Sequence, residues 1–239
     1  MRTVALYFAA VLSLLLVVAA ALWTGPRWLV PRIARQSPGC LYHVPTSERA
    51  VALTLDDGPD PAHTPEILQL LRAHEARATF FLISGNVAGR EALVADVVTA
   101  GHEIGNHLTR DESSVRLSPA AFERAAGEAG AVLARFAPVR WLRPGGGFYN
   151  GTMLETIGRL GYDCSLGSVY PYDAHLASVR LASAYVLANA RPGSVIVLHE
   201  GGARGRRTVA TLRRVLPALR ARGYRVVTLS ELEELRSEQ

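Results

Sequence analysis

Val51-Ala52-Leu53-Thr54-Leu55-Asp56-Asp57-Gly58-Pro59 begins apolar and β-branched and ends on two adjacent acids and a turn. The run is short, carries no charge until its end, and is broken by Gly58-Pro59. It reads as a buried strand rather than a helix. Six further runs share this form, at residues 78–84, 102–106, 141–143, 163–167, 194–199 and 225–229. Amphipathic stretches with helical spacing lie between most of them, at 65–74, 91–100, 119–136, 152–160 and 179–190. A last one, 207–222, should be kinked or split by Pro217. Ala100-Gly101-His102, Leu160-Gly161-Tyr162 and Arg222-Gly223-Tyr224 each fall where a helix gives way to a strand. Glycine suits the left-handed position that closes a helix. Strands alternating with helices predict a parallel α/β fold, either closed as a barrel or open and doubly wound; periodicity does not choose between them.

In both geometries chemistry gathers at the C-terminal ends of strands. Asp56 and Asp57 end the first run, His107 follows the third, Arg143 ends the fourth and His199 ends the sixth. Adjacent carboxylates repel, so a divalent cation on one, with the other left to take a proton, is the functional reading of Asp56-Asp57. The competing reading is an Asp-Gly turn that caps the next helix. His107 and Asp111 are spaced to chelate from one face of a helical turn, or they belong to a solvated loop. Arg143-Pro144-Gly145-Gly146-Gly147 joins a fixed cation to a loop whose N–H groups can approach a ligand, or it is an ordinary tight turn. His199 is an acid/base or a packed histidine.

Taken together and in this order, these residues resemble the NodB-like polysaccharide deacetylases of carbohydrate esterase family 4. The likeness runs from about residue 50 to 232. Residues 54–59 resemble the family's first motif, 101–107 the lead-in to its second, 143–147 its third and 197–199 its fifth. The resemblance implies a distorted (β/α)₇ barrel and metal-dependent removal of N-acetyl, or else O-acetyl, groups from a polysaccharide such as a chitin-like or peptidoglycan glycan. It implies one divalent ion held by Asp57, His107 and Asp111, with Asp56 as general base and Arg143 orienting it. The Gly146 N–H would serve the oxyanion, and His199, partnered by Asp173, would be the general acid. Asp111 stands where the family usually has a second histidine. The harder ligand set tilts the choice among Zn²⁺, Co²⁺ and Mn²⁺ toward Co²⁺ or Mn²⁺ without excluding Zn²⁺. Gly145 and Gly146 replace a proline and an aromatic, Ala174 replaces a tryptophan and Tyr170 an aspartate, so Tyr172 or His175 would fill part of the acetyl pocket. Two other readings stay open: a non-catalytic glycan-binding pseudoenzyme, and an amidohydrolase acting on a small metabolite.

The rest of the chain frames this domain. Of 239 residues, 49% are hydrophobic, enough for one catalytic core. The net charge of +5 comes largely from Arg2, Arg27, Arg32 and Arg35, which precede any acid, so the domain itself is near neutral and no nucleic-acid partner is expected. Residues 4–22 are uncharged, and at about 28 Å as a helix they would nearly cross a bilayer. Residues 1–24 are therefore expected to be a signal anchor or signal peptide, 25–39 a linker and 40–239 the catalytic domain, a monomer outside the cytoplasm. The positive-inside rule applied to Arg27, Arg32 and Arg35 points the other way. Cys40 and Cys164 either pair or remain two free thiols. Arg204, Arg206 and Arg207 read as a solvated loop, with anionic sugar groups as the minority alternative, and His102 as a support behind the second motif.

Overall fold

The computed structural model describes residues 2–237, with the side chains of 2–6, 8–10 and 25–27 outside the description. After a first helix, α1 (Arg2–Gln36), the order is β1 (Cys40–Leu41), β2 (Ala50–Gly58), α2 (Thr64–Ala73), β3 (Thr79–Leu82), α3 (Glu91–Thr99) and β4 (Glu103–Asn106). There follow α4 (Pro119–Leu133), β5 (Trp141–Leu142), α5 (Gly151–Arg159), β6 (Asp163–Ser165), α6 (Val179–Asn189), β7 (Val195–His199), α7 (Gly202–Ala221), β8 (Arg225–Val227) and α8 (Leu229–Glu234). The strands form one sheet in the order β1-β6-β5-β4-β3-β2-β7, with β8 also on β2, and every pairing is parallel. The sheet curls into a half-barrel. Its two edges meet through isolated bridges, Val169 to Ile196 and His43 to Ser194, rather than a continuous ladder. The expected distorted barrel of seven strands is thus a curled sheet of eight. The added strand, β1, has only two residues, too few for a periodic signal.

All nine residues of β2 are buried, as a strand covered on both faces must be. Leu53, Leu55, Phe80, Ile196 and Leu198 face the helices, while Ala52, Phe81, Trp141 and Val195 pack inside the curl. The three helix-closing glycines take the expected left-handed backbone: φ is 80° at Gly101, 81° at Gly161 and 78° at Gly223. In each case the next residue's N–H reaches back to the last helical turn, as Tyr162 does to the Ile157 carbonyl at 3.0 Å.

Helix α7 departs from expectation twice. It begins at Gly202 and so takes in Arg204, Arg206 and Arg207, and it runs unbroken through Pro217. Pro217 is exposed, so water can satisfy the carbonyl that lost its partner, while the neighbouring Val215, Leu216 and Leu219 are buried and hold the helix to the sheet. Cys40 and Cys164 form a disulfide, in register across the β1–β6 pair. Among the described residues, no single helix is long and apolar enough to cross a membrane. Val11–Thr24 and Trp28–Gln36, bent by 64°, meet that test only together. The expected span, 4–22, lies partly among side chains outside the description. Its end is tied to the domain, where Trp23 packs edge-on against Tyr185 at 5.5 Å and its carbonyl accepts from Asn189 Nδ2 at 3.0 Å.

Candidate active site

At the C-terminal ends of the strands lies a cavity of about 590 Å³, lined by Asp56, Asp57, His107, Asp111, Arg143 and His199 among others. A regular strand would send Asp56 and Asp57 to opposite faces. Here the register slips between Asp56 and Gly58, and Asp57 takes φ 77°, a left-handed conformation costly for a residue with a Cβ. The bulge turns both carboxylates into the cavity, at 3% and 4% exposure. Gly58 follows, and a Cβ there would fall 1.5 Å from Glu200 Oε1, so any other residue would have to push the buried Glu200 side chain aside.

Arg143 fixes Asp56. Its Nη1 donates to Asp56 Oδ1 at 2.5 Å and to Thr54 Oγ1 at 2.7 Å, Nε to the Ser165 carbonyl at 3.1 Å, and Nη2 to the Leu166 carbonyl at 3.0 Å. The guanidinium carbon also lies 4.0 Å from the centre of the Phe81 ring. Opposite, on β7, His199 is the register partner of Asp56. Asp173 accepts from the His199 N–H at 3.0 Å and from its ring Nδ1 at 3.1 Å. That choice of tautomer leaves Nε2 for proton exchange. Burial alone would lower the His199 pKa, but the Asp173 hydrogen bond and charge, with Asp56 and Asp57 behind it, raise it above the usual value.

The third feature is the pair Asp57 and His107. His107 Nδ1 donates to the Arg143 carbonyl at 2.7 Å, and its Nε2 lies 3.5 Å from Asp57 Oδ1. Asp57 Oδ2 is buried with no hydrogen-bond partner. Burial pushes the Asp57 carboxyl up, but His107, His199 and Arg204 more than offset this and hold it ionised, below its usual pKa. An anchored imidazole and a carboxylate with an unsatisfied buried oxygen are the donors a divalent ion takes. Two of the three expected ligands therefore fit a metal.

Asp111 is not brought into that group. Its carboxylate is 57% exposed and accepts from Arg204 Nη2 at 2.6 Å, and among the described residues no cluster of three His, Cys, Asp or Glu side chains is poised on one ion. The solvated-loop reading of Arg204 and Arg207 is corrected here. Arg204 reaches both Asp111 and Asp57, and Arg207 donates to the Asp173 carbonyl at 3.1 Å. No local motif announces these contacts, which join α7 to β2 and to loops far away in the chain.

The remaining expected residues take these positions. Gly146 lines the cavity with φ 76°, and a Cβ there would also press on Ser113 at 3.3 Å. Tyr172 lines it too, at φ 58°, edge-on to Tyr185 at 5.6 Å and to Tyr170 at 6.0 Å. The aromatic that packs on His199 is Tyr170, edge-on at 5.6 Å, a contact that its neighbours in sequence did not signal. His102 is buried and accepts from the Ala78 N–H at 3.3 Å, behind the second motif as expected. Burial, with help from Arg77, lowers its pKa to about 4. His63, just before α2, makes no capping bond with its side chain; its Nδ1 lies 2.9 Å from Asp60 Oδ1.

Comparison with known proteins agrees with this geometry. The polysaccharide deacetylase family model matches residues 43–165. A peptidoglycan-N-acetylglucosamine deacetylase of Bacillus cereus is 38% identical over 194 residues, 80% of this chain and 91% of that protein. A chitooligosaccharide deacetylase of Sinorhizobium fredii is 33% identical over 199 residues, 78% of this chain and 93% of that one. Among solved structures, a peptidoglycan N-acetylglucosamine deacetylase superposes with a TM-score of 0.79 at 28% identity, over 86% of this chain and 98% of that one. A family 4 acetyl xylan esterase from Clostridium thermocellum, in complex with a cobalt ion, superposes with a TM-score of 0.72 at 29% identity, over 78% of this chain and 91% of that one. With a bulged Asp-Asp strand end facing His107, Arg143 and His199, and with relatives aligned over nearly their whole length, the chain belongs to the polysaccharide deacetylase family.

Proposed function

We propose that this chain hydrolyses N-acetyl groups on a glycan outside the cytoplasm, with peptidoglycan or chitin-like N-acetylglucosamine as the substrate class. The observation that carries this reading is the pair of differently partnered groups on neighbouring strands: Asp56, gripped by the Arg143 guanidinium, and His199, held toward its protonated form by Asp173. A glycan-binding module needs neither. Asp56 takes the proton of the attacking water as the general base. His199 then gives a proton to the departing amine, which is a poor leaving group until protonated. Gly146 offers its N–H to the oxygen that gains charge, and Tyr170 and Tyr172 wall the acetyl side. Asp57 and His107 would hold a divalent ion of the Zn²⁺, Co²⁺ or Mn²⁺ kind, whose contribution when bound is Lewis-acid polarisation.

A non-catalytic reading draws on one observation, the engagement of Asp111 by Arg204. Acetate release separates the two. The full chain, supplied with Co²⁺, Zn²⁺ or Mn²⁺ and with a chelator control, should release acetate from an N-acetylglucosamine oligomer. His199→Ala and Asp56→Asn should each lower that rate by on the order of 10²–10⁴. Release unchanged in His199→Ala rejects the acid assignment, and no release under any metal favours the binding module.

The disulfide supports an oxidising compartment. The bent pair Val11–Thr24 and Trp28–Gln36 exposes Leu14, Leu15, Leu16 and Val17 at 59–64%, and we assign it as the element that holds the domain to a membrane surface.

A further inference from the structure

Arg204 has no part in this chemistry, yet it touches two of the three expected metal ligands. Its Nη1 lies 3.3 Å from Asp57 Oδ2, and its Nη2 lies 2.6 Å from Asp111 Oδ2. The first contact is one of charge alone, since Asp57 Oδ2 receives no hydrogen bond although it is buried. The guanidinium thus stands against the atom that a cation would bind. A divalent ion on Asp57 and His107 would meet a fixed positive charge there, and arginine cannot relieve the repulsion by releasing a proton. One of the two must leave.

Arg204 is built to be the one. It is 29% exposed and rides on the first turn of α7, two residues after Gly202. A second cavity of about 290 Å³ shares Asp57, Asp111 and Arg204 with the main one, so the side chain has space to move into.

We propose that Arg204 is the site's own counter-cation. It bridges Asp57 and Asp111 until a divalent ion displaces it, and its departure frees Asp111 to become the third ligand. The inference rests on the metal-hydrolase reading above. It predicts that Arg204 weakens metal affinity by competition, as any state that must be vacated before binding does.

The test is titration of the chelator-stripped full chain with Co²⁺ alone, read by calorimetry and by visible absorption of the bound ion. Arg204→Met, with Arg204→Gln as a second variant and circular dichroism to confirm folding, should bind Co²⁺ roughly tenfold or more tightly than wild type. The absorption band should stay the same, because the ligands are the same. Adding Asp111→Ala to Arg204→Met should cost roughly tenfold in affinity and change the band. Equal or weaker binding by both folded Arg204 variants overturns the displacement and leaves the metal reading standing. Tighter binding that Asp111→Ala does not alter overturns the part given to Asp111. No Co²⁺ binding by wild type or any folded variant overturns both.

Discussion

The two catalytic-side arginines face adjacent carboxylates, and their settings are opposite. Arg143 is 2% exposed and spends its donors on Asp56, Thr54 and two carbonyls, over the face of Phe81. Arg204 is 29% exposed, holds only carboxylates, and is carried by the first turn of a helix behind two glycines. One ion-pair chemistry thus serves two ends. A buried, fully bonded fork makes a charge permanent, whereas a half-exposed pair at a loop edge makes it removable.

Arg143→Met breaks the permanent side and should have the largest effect. It leaves Asp56 buried with no cation, a loss of about 3–5 kcal/mol in denaturant unfolding, together with the collapse of acetate release. Arg143→Lys should not rescue it, because one ammonium cannot replace the fork. A loss under about 1 kcal/mol for Arg143→Met would erase the contrast.

Glu200 adds a third case, a buried carboxylate just past the end of the neighbouring strand β7 with no arginine on it. Its Oε1 has no hydrogen-bond partner, and Thr64 alone donates to Oε2, at 3.0 Å. Burial raises its pKa from 4.5 to about 8, with Asp60, Asp57 and Asp56 adding to the shift and the Thr64 hydrogen bond opposing it. The folded chain therefore keeps a proton that the unfolded chain gives up. Stability from this group is complete below the unfolded pKa and falls as pH rises toward about 8, at up to about 1.4 kcal/mol per pH unit. Glu200→Gln should flatten the melting temperature across that window in metal-free buffer. An unchanged slope would show that Glu200 is ionised in the fold.

Arg204→Met should have the smallest effect on stability, within about 1 kcal/mol in the absence of metal, because its pairs are partly solvated. A loss as large as that of Arg143→Met would mean that Arg204 is structural and cannot move.

How much of this was legible in the sequence follows the reach of each signal. Strand and helix positions came from local periodicity, and the glycine punctuation located three helix ends, because both are encoded within a few residues. The strand-end rule gathers Asp56, Asp57, His107, Arg143 and His199 from the sequence alone. The bulge at Asp57 was hidden, since its φ is imposed by the register of β2 on β3. Arg204 was hidden for a different reason. Its partners are 93 and 147 positions away, and an arginine on an amphipathic helix looks the same whether it meets water or a buried aspartate. The two-residue β1 and the early start of α7 were missed because neither carries enough pattern to register.

The covalent link at Cys40 has a mechanical meaning. It enters the sheet at its outermost strand, where two residues of backbone pairing would peel away under modest tension. With the sulfurs joined, a pull along the N-terminal arm passes directly to β6 and spreads into the inner strands. A catalytic body tugged from its leading end, by thermal motion or by the polymer it works on, thus keeps its edge shut, and reducing the bond would make that edge its weakest seam.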